Sequence, residues 1–171
     1  MIPDTKLGEM TGNIRFVVGS SSEFEEAVRA IDFLLEDTLP PDSIAIVAKQ
    51  KVLLNGTDKL PAVTGDTVPI AKSDLFASHD DKIMCIGGTL GQLLQCRVKK
   101  GSRTLNDALC HWLLPRHAES LSDVVERNGI LIWVEIHSLE EERAASISLL
   151  RHSQSRVGVH DFAPASLAEG V

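Results

Sequence analysis

Two stretches at opposite ends of the chain follow the same plan of strand, helix and strand, and this constrains the fold more than any other feature. In the first, Ile14-Arg15-Phe16-Val17-Val18 is β-rich and ends at Gly19, followed by Ser20, Ser21 and Ser22. Phe24, Ala27, Val28, Ile31, Leu34 and Leu35 then recur at helical spacing. Ser22 with Glu25 has capping-box spacing at the helix start, and Pro40 and Pro41 stop the helix. Ser43-Ile44-Ala45-Ile46-Val47-Ala48 reads as the returning strand. In the second unit Gly129 leads into the strand Ile130–Ile136, and Ser138 with Glu141 repeats the capping-box spacing. A helix follows to about His152, with Ala144, Ile147 and Leu150 on its apolar face and Leu139 at its start. Val157–Phe162 closes as the last strand. Strand starts lie 30 residues apart in the first unit and 27 in the second. The matched lengths predict an α+β sandwich of the ferredoxin-like kind, βαβ-(insert)-βαβ, with both helices on one face of a four-stranded antiparallel sheet.

The insert, approximately residues 49–128, is far longer than a hairpin loop and must have structure of its own. Lys51 to Leu75 is punctuated by Gly56, Pro61, Gly65 and Pro69; Ile83-Met84-Cys85-Ile86 and Gly87-Gly88-Thr89-Leu90-Gly91 follow. Ser102 to Leu114 reads as a helix carrying Leu105, Leu109, Trp112 and Leu113. Pro115 suits the first position of another, with Leu121, Val124 and Val125 on its apolar side. No Gly-, Ser- or Pro-rich linker separates these parts, so residues 1–171 are read as one domain, with a frayed tail at 163–171.

Strand alternation then poses a problem. In one register Ile14, Phe16, Val18, Ile44, Ile46, Ile130, Ile132, Val134 and Ile136 face the two helices. The opposite face holds Arg15, Val17, Ala45, Val47, Leu131, Trp133, Glu135, His160 and Phe162, too apolar a surface to stand in water. The insert or a second copy must cover it, or a pocket forms there with Arg15, Trp133, Glu135 and His160 as its ligand-binding residues.

Composition closes several routes. Lys plus Arg total 17 against 24 Asp plus Glu, a net of −7, which disfavours a nucleic-acid partner. The longest uncharged apolar run, Ile83 to Cys96, holds fourteen residues, whereas a spanning helix needs about 20. The start MIPDTKLGEM has neither the basic cluster nor the apolar run of a signal peptide, so the chain is expected to be soluble and cytoplasmic. Three Cys without a CxxC indicate neither a disulfide framework nor a Cys-based zinc site. The six His show no H-x-x-x-H spacing, and His79 with Asp80 and Asp81 and His160 with Asp161 are the only short clusters, so no metal site is assigned.

Remaining motifs have plain structural readings. Gly19-Ser20-Ser21-Ser22 lacks the Lys and Gly spacing of a phosphate loop and reads as an N-cap. Gly87-Gly88-Thr89-Leu90-Gly91 reads as a tight turn, and Glu140-Glu141-Glu142 as acids favoured at a helix start. Adjacent Cys110 and His111 point in different directions on a helix, which is no nucleophile–base pair. The basic run of Arg97, Lys99, Lys100 and Arg103 reads as a solvated loop.

Two segments carry a resemblance. Phe16-Val17-Val18-Gly19 through Glu23 to Leu35 and Ser43–Val47 is similar to the opening of small bacterial general stress proteins of the heat-induced type. Leu114-Pro115-Arg116-His117-Ala118-Glu119, Glu126–Val134 and Glu140–His152 resemble their closing helix, strand and helix. The similarity covers residues 14–48 and 114–162; the central segment here is shorter and not glycine-rich. It implies a stress-related accessory role and names no chemistry or cofactor. The expected function is therefore non-enzymatic binding of a partner or small ligand on the sheet's second face, with a homodimer formed through that face. The alternatives are a small enzyme between sheet and insert, with His160 or Glu135 as general base and Arg15 holding an anion, and a purely structural homodimer.

Overall fold

In the computed structural model the described residues are 14–37, 39–54, 72–77, 82–152 and 157–162. The readings made for 55–71, for His79 to Asp81 and for the tail at 163–171 lie outside them. The chain runs β1 (Ile14–Ser21), α1 (Phe24–Glu36), a 3₁₀ turn (Pro41–Ser43), β2 (Ile44–Lys49) and α2 (Gln50–Leu54). β3 (Lys72–Ala77), β4 (Lys82–Ile86), α3 (Gly88–Lys99), α4 (Leu105–Leu109) and α5 (Pro115–Glu126) make up the insert. β5 (Ile130–Ile136), α6 (Leu139–His152) and β6 (Gly158–Phe162) complete the chain.

The architecture is α+β. Six strands form one sheet in the order β3-β4-β2-β5-β1-β6, and every neighbouring pair is antiparallel. The terminal units therefore interleave: β5 lies between β1 and β2, and β1 between β5 and β6. The β3–β4 hairpin extends the expected four strands at the β2 edge, because the insert contributes strands as well as helices. β1 is longer than its β-rich core suggests. Gly19, Ser20 and Ser21 pair with Ile132, Leu131 and Ile130, so they belong to the strand rather than to a loop.

Two apolar layers sandwich this sheet. On one side Ala27, Ala30, Ile31 and Leu34 of α1 and Ala145 and Leu149 of α6 pack on Val17, Ile44, Ile46, Ile130, Ile132, Val134 and Ile136. On the other, Leu90, Leu93 and Leu94 of α3, Leu105, Ala108 and Leu109 of α4 and Ala118 and Val125 of α5 cover Ile14, Phe16, Val18, Ala45, Val47, Leu131 and Trp133. Burying each Leu or Ile contributes roughly 2 kcal/mol, so the insert is integral to stability. The sheet's second face is sheltered, and its cover is the insert.

Three expectations are corrected by the structure. In β1 the alternation is inverted: Ile14, Phe16 and Val18 face the insert and Val17 faces α1 and α6. β1 is buried on both sides, so alternation carries no polarity signal to choose the phase. In α6 the stripe read as core-facing is the outer one. Leu139, Ile147 and Leu150 are 78%, 44% and 61% exposed, whereas Ala145, Ser148 and Leu149 are buried. α1 also starts one residue later than the capping-box spacing places it, with Glu23 at the N-cap. Ser21 holds that corner, accepting from the Glu23 N–H at 3.2 Å and donating to the Glu23 carbonyl at 2.8 Å.

Candidate functional site

The register of β1 divides the four residues expected to share a pocket. Phe16 opposes both Glu135 and His160, and Val18 opposes Trp133, so these three lie on the insert side. Arg15 opposes Ile136 and Asp161 and points to the α6 side. Its guanidinium grips Asp161 with two bonds, Nε to Oδ1 at 2.8 Å and Nη2 to Oδ2 at 3.2 Å, and Nη1 donates to Glu142 at 2.9 Å. Both carboxylates raise the Arg15 pKa above its ordinary value. Arg15 therefore tethers β6 and α6 to β1 and cannot hold an anion for His160.

On the insert side Trp133 is core. It is 1% exposed, edge-on to Phe16 at 5.8 Å and to Phe162 at 5.9 Å. Trp112, in the turn after α4, stacks on Phe162 at 4.6 Å with the rings 9° apart. His160 packs edge-on against His117 of α5, ring centres 5.4 Å apart. Burial lowers the His160 pKa, and His117 lowers it further, against an opposing effect from Asp161. Glu135 stands at the polar end of β5. It accepts from the Thr89 hydroxyl at 2.6 Å, and its other oxygen lies 3.2 Å from His137 Nε2. The imidazole Nδ1 is 3.3 Å from Glu141, which also accepts from the His137 backbone N–H at 2.7 Å.

Thr89 reaches Glu135 because Gly87, at φ 90°, turns the chain from β4 directly into α3. The glycine-rich stretch read as a tight turn is thus a helix start. Ser138 does cap α6, accepting from the Glu141 N–H at 3.1 Å, while the Glu141 carboxylate reaches one residue further back, to His137. Thr89 and His137 were missed as partners of Glu135, and Glu141 as the partner of His137; the Ser138–Glu141 spacing was the one signal pointing at the last of them. The four make a hydrogen-bonded chain of hydroxyl, carboxylate, imidazole and carboxylate. Such a chain can position a proton, and it also ties α3 to the β5–α6 corner.

Comparison with known proteins finds no matching family, no similar curated protein and no similar solved structure. Among the described residues no group of His, Cys, Asp and Glu is arranged to hold a metal, and no helix is long and apolar enough to cross a membrane.

Two surface grooves are lined by described residues. One, of about 350 Å³, lies between the end of β1 and α5 and is lined by Ser20, Ser21, Ser22, Ser120, Asp123 and Arg127 among others. The other, of about 470 Å³, runs along the outside of α6, where Glu140, Arg143, Ala144, Ile147 and Arg151 meet Asp37 and Leu139. Asp37 is anchored there by the buried Ser148 hydroxyl at 3.0 Å. This second groove is where the apolar residues of α6 are displayed.

Proposed function

We propose that this chain is a non-enzymatic accessory protein that works as a two-fold dimer, docked through the outer face of α6. The observation that carries this reading is the stripe Glu140, Ala144, Ile147 and Arg151, spaced at i, i+4, i+7 and i+11 along one exposed groove. An antiparallel copy of α6, centred between Ala144 and Ile147, sets Glu140 against the Arg151 position and Ala144 against the Ile147 position. Acid meets base and small meets large, twice over, which is the self-complementarity an isologous contact requires. The exposed Leu139 and Leu150 extend the apolar surface to be covered. The sheet face first considered for this contact is covered by the insert.

Binding is favoured over catalysis because the polar groups expected to share a pocket are engaged internally, Glu135 by Thr89 and His137 and His160 by His117 on the insert side, and Arg15 by Asp161 and Glu142 on the α6 side. The enzyme reading has one supporting observation, the 2.6 Å contact from Thr89 to a carboxylate only 14% exposed at its side chain. The antiparallel order β2-β5-β1-β6 supports a ferredoxin-like core to which the β3–β4 hairpin has been added. The stress-related role rests on the resemblance of residues 14–48 and 114–162, and a cytoplasmic setting on the free thiols of Cys85, Cys96 and Cys110.

Sedimentation equilibrium tests the dimer. The chain is expected to be dimeric, Glu140→Arg to weaken association by roughly tenfold or more (~1.4 kcal/mol), and the double exchange with Arg151→Glu to recover it. A monomeric parent, or a double variant no tighter than Glu140→Arg, refutes the α6 interface.

A further inference from the structure

Arg97 does not belong to a solvated loop. It sits in the last turn of α3, 8% exposed, under a return of the chain in which the Ser102 N–H bonds to its carbonyl at 2.9 Å. Its guanidinium makes no ion pair with a carboxylate of the described residues. Nη2 donates to His111 Nε2 at 2.6 Å, and Nε is buried with no hydrogen-bond partner. An arginine is always protonated, so Nε2 of His111 must be the acceptor and the ring proton must sit on Nδ1. A guanidinium taken out of water with only a neutral ring beside it is left without the negative charge that normally accompanies burial.

A second observation points the same way. Among the described residues three buried side-chain polar atoms lack a partner: Arg97 Nε, Trp112 Nε1 and Trp133 Nε1. All three are donors. Two of them border His111, since Arg97 bonds to it and Trp112 is its neighbour with ring centres 6.3 Å apart. The corner therefore lacks acceptors specifically. Lys99, Lys100 and Arg103 stand within six positions of Arg97, and Asp107 is the acid acting on His111. Water can satisfy an indole N–H, but a buried guanidinium with no carboxylate partner among the described residues calls for negative charge, and its planar fork matches the oxygens of a phosphate.

We propose that the corner formed by Arg97, His111 and Trp112 binds a phosphate group. The oxyanion takes the Arg97 fork and the Trp112 N–H, entering past His111, which is exposed. Once Arg97 turns to the ligand, His111 is released to protonate and add a donor of its own. In the empty site burial and Arg97 hold the His111 pKa below its ordinary 6.5, with Asp107 opposing. Phosphate binding raises it, so binding is coupled to proton uptake at His111, an effect superposed on the second ionisation of the phosphate itself. The site lies on the insert layer, on the other side of the sheet from α6, and does not depend on the dimer.

The test is an NMR titration of the full chain with inorganic phosphate, phenyl phosphate and acetate, following the Trp112 indole and His111 ring signals. Saturable shifts with phosphate are expected, with a raised His111 midpoint, roughly tenfold weaker binding by acetate and a loss of tenfold or more in Arg97→Gln. Tighter binding of phenyl phosphate assigns a phosphomonoester, and equal binding assigns free phosphate. Trp112→Phe keeps the stack on Phe162 and removes one donor, so it carries the test should Arg97→Gln fail to fold. No saturable shift, acetate as tight as phosphate, or undiminished binding by whichever of these variants folds overturns the proposal.

Discussion

Gly129→Ala is the most direct probe of how the insert is joined to the sheet. Helix α5 ends in a Schellman turn: the Gly129 N–H bonds to the Val124 carbonyl at 2.8 Å and the Asn128 N–H to Val125 at 3.0 Å. Asn128 takes the left-handed conformation this turn needs, at φ 69°. A Cβ on Gly129 would sit 2.7 Å from both the Val124 carbonyl oxygen and its Cγ1, and 3.3 Å from the Ser21 carbonyl. The methyl group of Val124 can rotate away, but the backbone oxygen cannot move without breaking the turn. Losing that bond costs about 1 kcal/mol, and leaving the buried Gly129 N–H unpaired adds about 1–3 kcal/mol. The expected destabilisation is thus roughly 2–4 kcal/mol, a fall in Tm on the order of 10 °C for a chain of this size. Asn128→Gly serves as the control, because it relieves the positive φ and should be neutral or slightly stabilising. Urea unfolding followed by Trp fluorescence reads both variants. A Gly129→Ala loss below about 0.5 kcal/mol would show that the approach to Val124 relaxes freely, and the account of this junction would be wrong.

Two further outcomes follow from titratable groups. Burial pushes the Cys85 thiol up to about 12, so a thiol reagent at neutral pH should modify the exposed Cys110 promptly and Cys85 only on unfolding; comparable rates in the native state would contradict its burial. The pKa values of His160 and His111 are both lowered by folding, so the unfolded chain takes up these protons first and stability is lost as pH falls below 6.5. Urea midpoints between pH 7 and about 5, above the carboxylate range, should decline, and His160→Gln should flatten the decline; an unchanged slope removes His160 as its source.

Legibility in the sequence followed the number of environments each residue meets. The helical spacing of Ala27, Ile31 and Leu34 on α1 identified its core side correctly, because the remaining positions are largely polar and the contrast is sharp. β1 offered no such contrast. Phe16 and Val17 are both buried, one under the insert and one under the helices, so adjacent apolar residues could not tell which face was which. That single inversion moved Arg15 across the sheet and dissolved the expected pocket, while Trp133, Glu135 and His160 remained on one side because β5 and β6 pair with β1 in register.

The inversion in α6 has a different cause and more consequence. Leu139, Ile147 and Leu150 outweigh Ala145, Ser148 and Leu149 in hydrophobicity, so periodicity alone assigns the richer stripe to the core. The structure buries the poorer one, with Ser148 satisfied by Asp37. Small residues at 145 and 148 let α6 approach the sheet and α1 closely, which a stripe of Ile and Leu would prevent. The larger side chains are then displaced outward, onto the exposed face of α6. Arg97 shows the converse. Its charged neighbours Lys99, Lys100 and Arg103 make the segment read as solvated, yet the helical position of Arg97 carries it inward to His111. A hydrophobic stripe facing out and a guanidinium facing in are both unfavourable, and the two proposals answer them with molecules of matching character: a second α6 against the stripe, and an oxyanion against Arg97.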